Sequence, residues 1–364
     1  MNDLVGPLSS GSVIGVLGGG QLGRMLALAA APLGLRTRIY CQSDTEPAAQ
    51  VTSLTSFGAF DDLDAVRGFA ESCDVVTTEF ENVPVASLET AGQHCPVAPG
   101  PLALKVAQDR LVEKTFIADL GIAVAPFASV DSVHDLVAAG AEHGLPGILK
   151  TRRFGYDGKG QTRLPNELDD AGAQAAIDAL AGSPAIYEGF IDFDHEISVL
   201  IVRDRTGKVS AYDPPRNDHR DGILHTSTVP SRTSPRSAAQ AVEQAATIAT
   251  ALDYVGVLGV EFFVVGDDGL IVNEISPRVH NSGHWTIDAC LVSQFENHVR
   301  AVAGWPVGPT TRHSDATMTN LIGDEIDDLA RWAQRDAVSI HDYGKAEARP
   351  GRKMGHVTEI KPRT

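Results

Sequence analysis

Cysteine, aromatic residues, positive charge and long hydrophobic runs are all scarce in this sequence. Its four cysteines are scattered, without CxxC spacing or a nearby histidine cluster, so we expect reduced, mostly structural thiols. A formal net charge of −17 argues against broad binding to nucleic acid or to an anionic membrane surface. No basic-then-apolar signal peptide opens the chain. Its longest apolar run, Met25–Leu35, is interrupted by Pro32 and is too short to span a membrane. These features predict a cytoplasmic protein.

What the sequence does have is the length and composition of a multidomain globular protein. Its 364 residues suggest two or three domains, and a content of 43% hydrophobic and 21% charged residues excludes a disordered chain. Strand-like and helix-like segments alternate from Val13 to Thr78, which predicts a parallel sheet with helices on its faces. A proline-rich boundary at Pro96–Pro101 precedes a long predicted helix from about Leu102 to Gly121.

Two glutamates lie in a predicted β-hairpin over Val257–Ile275, around the turn sequence Gly266-Asp267-Asp268-Gly269. If Asp267 and Asp268 are the two loop residues, Glu261 falls directly opposite Glu274. A turn at Asp268-Gly269 would shift the pairing by one position and keep both glutamates on one face. Facing carboxylates repel each other, and a divalent cation bound between them removes that cost. The hairpin therefore predicts a metal–nucleotide site, and the alternative is a pair of solvated acids on an exposed sheet face.

A glycine-rich motif follows the first predicted strand. The segment Gly18–Gly23 satisfies G-x-G-x-x-G between a strand and a helix, a pattern typical of dinucleotide-binding folds. Those folds also need an acidic residue at the end of the second strand, where this sequence has Ile39-Tyr40-Cys41-Gln42. We therefore expect no NAD or FAD here, although the glycines allow a phosphate or polar ligand to approach the helix N-terminus.

A second glycine-rich segment spans Arg153–Gln161. Three glycines within six residues allow a loop to fold its N–H groups over phosphates, and the G-K-[ST] ending of a P-loop is missing. Lys150 ends the strand just before this loop, where its ammonium group is well placed for nucleotide phosphates. A plain surface loop and a surface lysine are the alternatives, but the combination favours a nucleotide-binding lid.

Together these segments resemble the ATP-grasp superfamily and, more narrowly, the N5-carboxyaminoimidazole ribonucleotide synthetases of purine biosynthesis. The resemblance extends from about residue 13 to residue 357 and rests on Gly18–Met25, Asp109-Arg110, Gly155–Gln161, His219–Leu224, Gly256-Val257, Asn273–Trp285 and Arg349–His356. It implies a mixed α/β and α+β fold of three parts: an N-terminal Rossmann-like substrate-binding domain with a parallel sheet (1–101), an ATP-grasp domain (102–303, with a lid at about 122–187) and a small C-terminal domain (304–364).

The resemblance implies an ATP-dependent carbon–nitrogen ligase. Such an enzyme carboxylates 5-aminoimidazole ribonucleotide with bicarbonate, through carboxyphosphate, in de novo purine biosynthesis. Carboxyphosphate decomposes in water, so the lid is expected to close over it. A homodimer is typical of the family. The nearest alternative is a formate-dependent glycinamide ribonucleotide transformylase, which has a similar Glu-x-Ser-Pro-Arg-x-His segment. A nucleotide-binding regulator would be expected to lack the glutamate pair or the lid.

Residue roles also follow from the resemblance. ATP binding is implied for Arg110, Lys150, Gly155, Tyr156, Asp157, Gly158, Lys159, Gly160, Gln161, Glu188, Gly189, Phe190, Ile191, Glu196, His219, Asn273 and Glu274. Substrate binding is implied for Gly20, Gln21, Leu22, Glu79, Lys345, Arg352 and Lys353. Glu261 and Glu274 would hold Mg²⁺ or Mn²⁺, with the third ligand left open. Catalytic roles are implied for Asp157, Lys159, Arg278 and Lys353; Asp157 and Lys159 would handle the substrate amine and the forming carboxylate.

Overall fold

The computed structural model describes residues 6–155 and 159–364. The predictions for Tyr156, Asp157 and Gly158 therefore lie outside the described residues. None of the helices in these two ranges combines the length and the apolar character needed to cross a bilayer.

The chain begins with a four-stranded parallel sheet, as the strand–helix alternation predicts. Its strands are β1 (Val13–Leu17), β2 (Arg36–Cys41), β3 (Leu54–Phe57) and β4 (Val75–Thr78), in the order β3-β2-β1-β4. Its helices are α1 (Gln21–Ala30), α2 (Leu63–Ala70) and α3 (Val85–Ala91), with 3₁₀ turns at Ala31–Leu33 and Ala49–Val51. The glycine-rich motif lies between β1 and α1, at the carboxyl edge of the sheet, where α/β folds bind their ligands.

The long helix predicted from Leu102 to Gly121 is wrong, because the structure has two helices here. They are α4 (Pro101–Ala107) and α5 (Arg110–Asp119). The break comes at Asp109, whose side chain accepts a hydrogen bond from the Leu111 N–H at 3.0 Å and so starts a new helix. The break places Arg110 at the first position of α5.

A second sheet, of four antiparallel strands, forms the lid region. Its strands are β5 (Phe127–Val130), β6 (Gly147–Thr151), β7 (Gln161–Leu164) and β8 (Ala185–Gly189), in the order β5-β8-β6-β7. Helices α6 (Val133–His143) and α7 (Asp170–Ala179) pack on it through a small apolar core that includes Leu136, Leu149 and Tyr187. The glycine-rich lid loop connects β6 to β7.

The remaining strands form one nine-stranded sheet. They are β9 (His195–Arg203), β10 (Val209–Ala211), β11 (Arg216–Arg220), β12 (Ile223–Val229), β13 (Gly256–Val265), β14 (Gly269–Ser276), β15 (Ser314–Ile322), β16 (Val338–Asp342) and β17 (Lys353–Pro362). The order is β14-β13-β9-β11-β12-β15-β17-β16, with β10 paired to β9. The helices are α8 (Pro235–Ala251), α9 (Thr286–Ala289), α10 (Gln294–Val302) and α11 (Leu329–Trp332), with 3₁₀ turns at Asn281–Gly283 and Gly323–Asp328.

Strand β9 shows that this sheet is covered on both faces. Its residues Ile197, Val199 and Ile201 belong to one apolar core, which also includes residues of α8. Leu200 and Val202, whose side chains point to the opposite face, belong to another. The second core also contains residues of β1 and α1, and α1 contacts α10, so the N-terminal sheet packs on the nine-stranded one through these two helices. The final segment extends the same sheet, because β15 pairs with β12.

Candidate active site

The hairpin of β13 and β14 places Glu261 directly opposite Glu274, as predicted, but neither predicted turn forms. The loop has three residues, Gly266–Asp268, since Val265 pairs with Gly269. That register alone would bring Asn273 opposite Glu261. A β-bulge between Glu261 and Phe262 restores the pairing of Glu261 with Glu274.

Neighbouring groups hold the two carboxylates in different environments. Glu274 Oε2 accepts a hydrogen bond from Arg110 at 3.0 Å, whereas Glu261 Oε1 lies 3.3 Å from His280 Nε2. Burial, together with the charge of Glu274, raises the pKa of Glu261 to about 7. Burial would also raise the pKa of Glu274, but Arg110 lowers it below its ordinary value. The two carboxylates therefore form an oxygen-rich site in which the negative charges repel each other. A divalent cation would relieve that repulsion, so these residues fit Mg²⁺ or Mn²⁺.

A group of cations surrounds Glu188 on β8. Its Oε2 atom lies 2.9 Å from Lys150 Nζ and 3.4 Å from Lys114 Nζ. Burial would raise the pKa of Glu188, but the two ammonium groups lower it to about 2. Burial and the neighbouring charges of Arg110 and Lys114 lower the pKa of Lys150, despite its ion pair with Glu188. Three cations, Lys150, Lys114 and Arg110, thus act on the one carboxylate of Glu188, an arrangement suited to an anion such as a nucleotide phosphate.

The predicted ribose acceptor lies on the same sheet as the glutamate pair. Glu196 on β9 pairs with Phe263, two residues beyond Glu261 on β13, so both glutamates are on one face. His219 Nδ1 lies 2.8 Å from Glu196, and one ligand atom from each of Glu196, His219 and Glu261 fits within 4.8 Å of the others. Burial opposes the positive charge of His219, but Glu196 raises its pKa above the ordinary value.

The described ends of the lid loop lie beside this pocket. Gly160 has φ of +70°, a conformation that favours glycine, and its carbonyl accepts a hydrogen bond from the Thr151 N–H at 2.8 Å. Arg110 donates to the Gly155 carbonyl at 3.5 Å. Gln161 begins β7 and Lys159 lies two residues before it, while Gly189, Phe190 and Ile191, predicted as a hinge, follow Glu188. Arg110 therefore bridges a cleft between the lid loop at Gly155 and Glu274 on the nine-stranded sheet, whereas Phe190 is 40% exposed and lies under the Arg163 guanidinium instead.

The glycine-rich motif has an occupant from the chain itself. Glu79, at the end of β4, accepts hydrogen bonds from the N–H groups of Gly20 at 2.6 Å and Gly23 at 2.9 Å. A Cβ atom at Gly18 would come within 2.4 Å of Glu79 Cγ, so the glycine is needed for this close approach. Burial raises the pKa of Glu79 although the two N–H groups oppose it. The motif thus receives a carboxylate where a dinucleotide fold receives a pyrophosphate.

Arg278 is bound by the carboxylate of Glu81, a residue that the sequence analysis did not identify. Glu81 accepts hydrogen bonds from two of the three guanidinium nitrogens of Arg278, Nε and Nη2, the latter at 3.0 Å. Burial would raise the pKa of Glu81, but Arg278 lowers it. This two-point contact joins the segment after β14 to the loop after β4, so Arg278 lies where the N-terminal sheet meets the nine-stranded sheet.

The three basic residues predicted to bind substrate near β17 differ in their contacts. Lys345 donates to the Lys353 carbonyl at 2.5 Å. Burial lowers the pKa of His280, and the charges of Arg278 and Lys353 add to this effect. The charge of Lys353 also opposes the raised pKa of His219. Lys353 is therefore electrostatically coupled to the glutamate site. Arg352 instead donates to the Glu347 carbonyl of its own loop at 2.9 Å, so its contact is local.

The sequence analysis missed several residues of this region, among them Lys114, Glu81 and His280. Lys114 lies four residues after Arg110 on α5, a spacing that places both on one helix face and could have identified it. His280 lies within a stretch that carries the family resemblance, but its contact with Glu261 depends on a chain reversal after β14. Glu81 offers no sequence signal apart from its closeness to Glu79.

Comparison with protein families gives one match for each part of the chain. Residues 12–108 match the ribonucleotide synthetase preATP-grasp domain, and residues 115–295 match the ATP-grasp domain. Residues 316–364 match the phosphoribosylaminoimidazole carboxylase C-terminal domain. This combination agrees with the fold class predicted from the sequence.

Individual relatives match nearly the whole chain. The N5-carboxyaminoimidazole ribonucleotide synthase of Brucella melitensis is 52% identical over 358 residues, which cover 98% of each protein. The crystal structure of the Staphylococcus aureus N5-carboxyaminoimidazole synthetase complexed with ADP has a TM-score of 0.93 at 35% identity, covering 99% of this chain and 96% of that one. The Aspergillus clavatus synthase in complex with ADP and 5-aminoimidazole ribonucleotide has a TM-score of 0.90 at 32% identity, covering 97% and 95%. This chain belongs to the N5-carboxyaminoimidazole ribonucleotide synthase family of ATP-grasp ligases.

Proposed function

We propose that this protein carboxylates 5-aminoimidazole ribonucleotide with bicarbonate and ATP, giving N5-carboxyaminoimidazole ribonucleotide, ADP and phosphate in purine biosynthesis. The observation that carries the proposal is the cleft in which a cation group (Lys114, Lys150 and Arg110) faces the carboxylate pair Glu261 and Glu274. The relatives named above support it, one of them by its complex with ADP and the nucleotide substrate. They do not support the formate-dependent transformylase alternative.

The reaction divides into two displacements. In the first, a bicarbonate oxygen attacks the γ-phosphorus of ATP, the bond to the ADP oxygen breaks, and carboxyphosphate forms. In the second, the substrate amine attacks the carboxyl carbon, phosphate leaves with the electrons of the C–O bond, and the amine loses a proton. Bicarbonate alone is a poor electrophile because its leaving group would be hydroxide, so the first step supplies the leaving group for the second.

Contacts in the cleft indicate how ATP would be held. Lys150 and Arg110 supply positive charge for the phosphates, while the backbone of Glu188–Ile191 would bind the adenine edge and Glu196 the ribose hydroxyls. Glu261 and Glu274 would hold Mg²⁺, for which Mn²⁺ can substitute, and the ion would neutralise charge that develops on the phosphates. Burial strengthens each of these charge interactions relative to water.

The nucleotide substrate would lie towards the N-terminal sheet. We assign its contacts to Gly20, Gln21, Leu22, Glu79, Lys345, Arg352 and Lys353. The basic members suit a 5′-phosphate. Arg278, fixed by Glu81, and Lys353 would stabilise the reacting carboxyl group, and Asp157 and Lys159 would complete the site from the lid. We also propose a cytoplasmic homodimer with domains at 1–101, 102–303 and 304–364, and sedimentation of the purified protein tests the dimer.

An ADP-release assay with crossed substrates tests the proposed reaction. Bicarbonate or formate is offered with either aminoimidazole ribonucleotide or glycinamide ribonucleotide, and product is identified by mass. ADP release and carboxylated product should appear with bicarbonate and aminoimidazole ribonucleotide. A Lys150→Met variant, beside an exposed Lys105→Met control, should lose ATP-dependent turnover. Product formed only from formate and glycinamide ribonucleotide would overturn the assignment.

A further inference from the structure

A chain of buried polar side chains leads from the middle of the nine-stranded sheet to Glu261. Ser227 on β12 donates to Asn217 Oδ1 at 2.8 Å, and Asn217 Nδ2 donates to Ser198 Oγ at 3.0 Å. Ser198 Oγ lies 2.6 Å from Ser282 Oγ, which lies 2.8 Å from His280 Nδ1. Ser198 pairs with Glu261 across β9 and β13, so the chain of contacts passes beside the proposed metal site on the same face of the sheet.

These contacts have one consistent donor direction. The backbone N–H of Ser282 points at His280 Nδ1, at 3.4 Å, and this group can only donate, so Nδ1 is an acceptor. The Ser282 hydroxyl, 2.8 Å from Nδ1, then donates to it as well, and Ser282 Oγ accepts from Ser198, which in turn accepts from Asn217. The ring proton of a neutral His280 is therefore on Nε2, which lies 3.3 Å from Glu261 Oε1.

The position of His280 is fixed independently of its ring. Its backbone N–H donates to Gln294 Oε1 at 2.9 Å, and its carbonyl accepts from Gln294 Nε2 at 2.6 Å. Gly259 allows the close packing, because a Cβ atom there would be 2.9 Å from His280 Cβ. All four relay residues before His280 are at most 3% exposed. Substitution of the His280 side chain therefore leaves the backbone anchor in place.

We infer that His280 is a positioning residue that donates its Nε2–H to Glu261, and that the relay from Ser227 through Asn217, Ser198 and Ser282 fixes the tautomer this requires. Asn273 Nδ2 lies 3.5 Å from the other oxygen, Glu261 Oε2, so a nitrogen donor faces each oxygen of this carboxylate. Groups that orient a metal ligand typically change metal affinity 10- to 100-fold when they are removed. The inference rests on the proposed function, since the proposed cation is what Glu261 would bind.

The tautomer is measured without any ligand. The protein has 12 histidines, and in ¹⁵N-histidine-labelled protein the ring-nitrogen signals of His280 are those lost in His280→Asn. A neutral ring protonated at Nε2 is expected. A ring protonated at Nδ1, or a doubly protonated ring, would overturn the relay direction.

Cation affinity is measured with ADP and Mn²⁺ in the absence of bicarbonate and substrate. The amide nitrogen of Gln can reach the place of Nε2, whereas that of Asn reaches only the place of Nδ1. We expect His280→Asn to weaken Mn²⁺ binding at least about tenfold and His280→Gln to stay within about threefold of wild type. If both variants bind Mn²⁺ like wild type and only the KM for bicarbonate rises, His280 contacts the substrate and the inference is wrong. If the wild-type protein itself binds no Mn²⁺ with ADP, the proposed metal site is what fails.

The relay is tested with matched serine variants. Ser282→Ala and Ser87→Ala each remove a fully buried hydroxyl, but Ser87 bonds to the Phe60 carbonyl in the N-terminal part of the chain. Thermal unfolding of each variant measures how much stability the protein loses with that hydroxyl group. Only Ser282→Ala should weaken Mn²⁺ binding and populate the Nδ1-protonated tautomer of His280. Indistinguishable Mn²⁺ affinity and tautomer populations in the two variants would refute the relay.

Discussion

The two carboxylates of the proposed metal site should affect the stability of the metal-free protein in opposite directions. Burial and the charge of Glu274 raise the pKa of Glu261 to about 7, so folding disfavours its ionised form. Glu274 is also buried, but its bond to Arg110 lowers its pKa, so its charge is stabilising. Glu261→Gln removes a costly charge, whereas Glu274→Gln removes the partner of Arg110.

The size of the Glu261 effect depends on pH. Its pKa in the folded protein is above the ordinary value of 4.5, so its ionised form destabilises the folded state. This destabilisation is absent below about pH 4.5, grows as the pH rises towards 7, and is complete above pH 7. The difference between 4.5 and about 7 corresponds to about 3 kcal/mol. Glu261→Gln should therefore raise the Tm of the metal-free protein by several degrees at pH 8 and by much less at pH 5.5. Glu274→Gln should lower it at pH 8.

Differential scanning calorimetry in a chelating buffer at the two pH values measures these shifts, with the exposed Glu142→Gln as a control for loss of one negative charge. Mg²⁺ with ADP should raise the Tm of wild type more than that of either variant. Both variants should also lose at least about 2–3 kcal/mol of transition-state stabilisation, a rate loss of tens- to hundreds-fold. A lower Tm for metal-free Glu261→Gln at pH 8, or shifts of the same sign in both variants, would refute the reasoning.

Three further predictions concern the lid and the N-terminal sheet. Asp157→Asn should leave ATP affinity nearly unchanged while sharply lowering carboxylated product, and equal losses in calorimetric ATP binding and in product would show that the loop is only an ATP clamp. Nicotinamide and flavin dinucleotides should not bind at Gly18–Gly23, because Glu79 occupies its N–H groups; micromolar binding by calorimetry would contradict this. Glu81→Gln should reduce kcat/KM about tenfold or more by releasing Arg278, with ATP affinity retained, and steady-state kinetics that match wild type would show that Glu81 is dispensable.

The sequence predicted those features that depend on local pattern. The facing of Glu261 and Glu274 was predicted for one of two possible turns, and the pairing is confirmed although neither turn forms. The observed three-residue loop alone would place Asn273 opposite Glu261, and the bulge that restores the predicted pairing has no local signal in the sequence. The predicted long helix failed at Asp109, where a side-chain cap outweighed a continuous helical pattern.

Long-range contacts set the limit of prediction in the cleft. Lys114 could have been found from its helical spacing to Arg110. The contacts of Glu79 with Gly20 and of His280 with Glu261 join segments that only the folded chain brings together, so no periodicity indicates them. The buried relay is of the same kind, since its serines and asparagine look like ordinary strand residues in the sequence.

The pairing of β12 with β15 has a consequence for how the chain folds. Until β15 arrives, β12 carries an open row of unpaired N–H and C=O groups at the edge of the large sheet, an arrangement that invites pairing with other chains. The strand that covers it is synthesised more than eighty residues later, after α8, the hairpin and α10. A nascent or shortened chain without β15–β17 should therefore be prone to self-association. Those three strands therefore protect the edge of the large sheet, and the interval before their synthesis is a stage at which aggregation is expected.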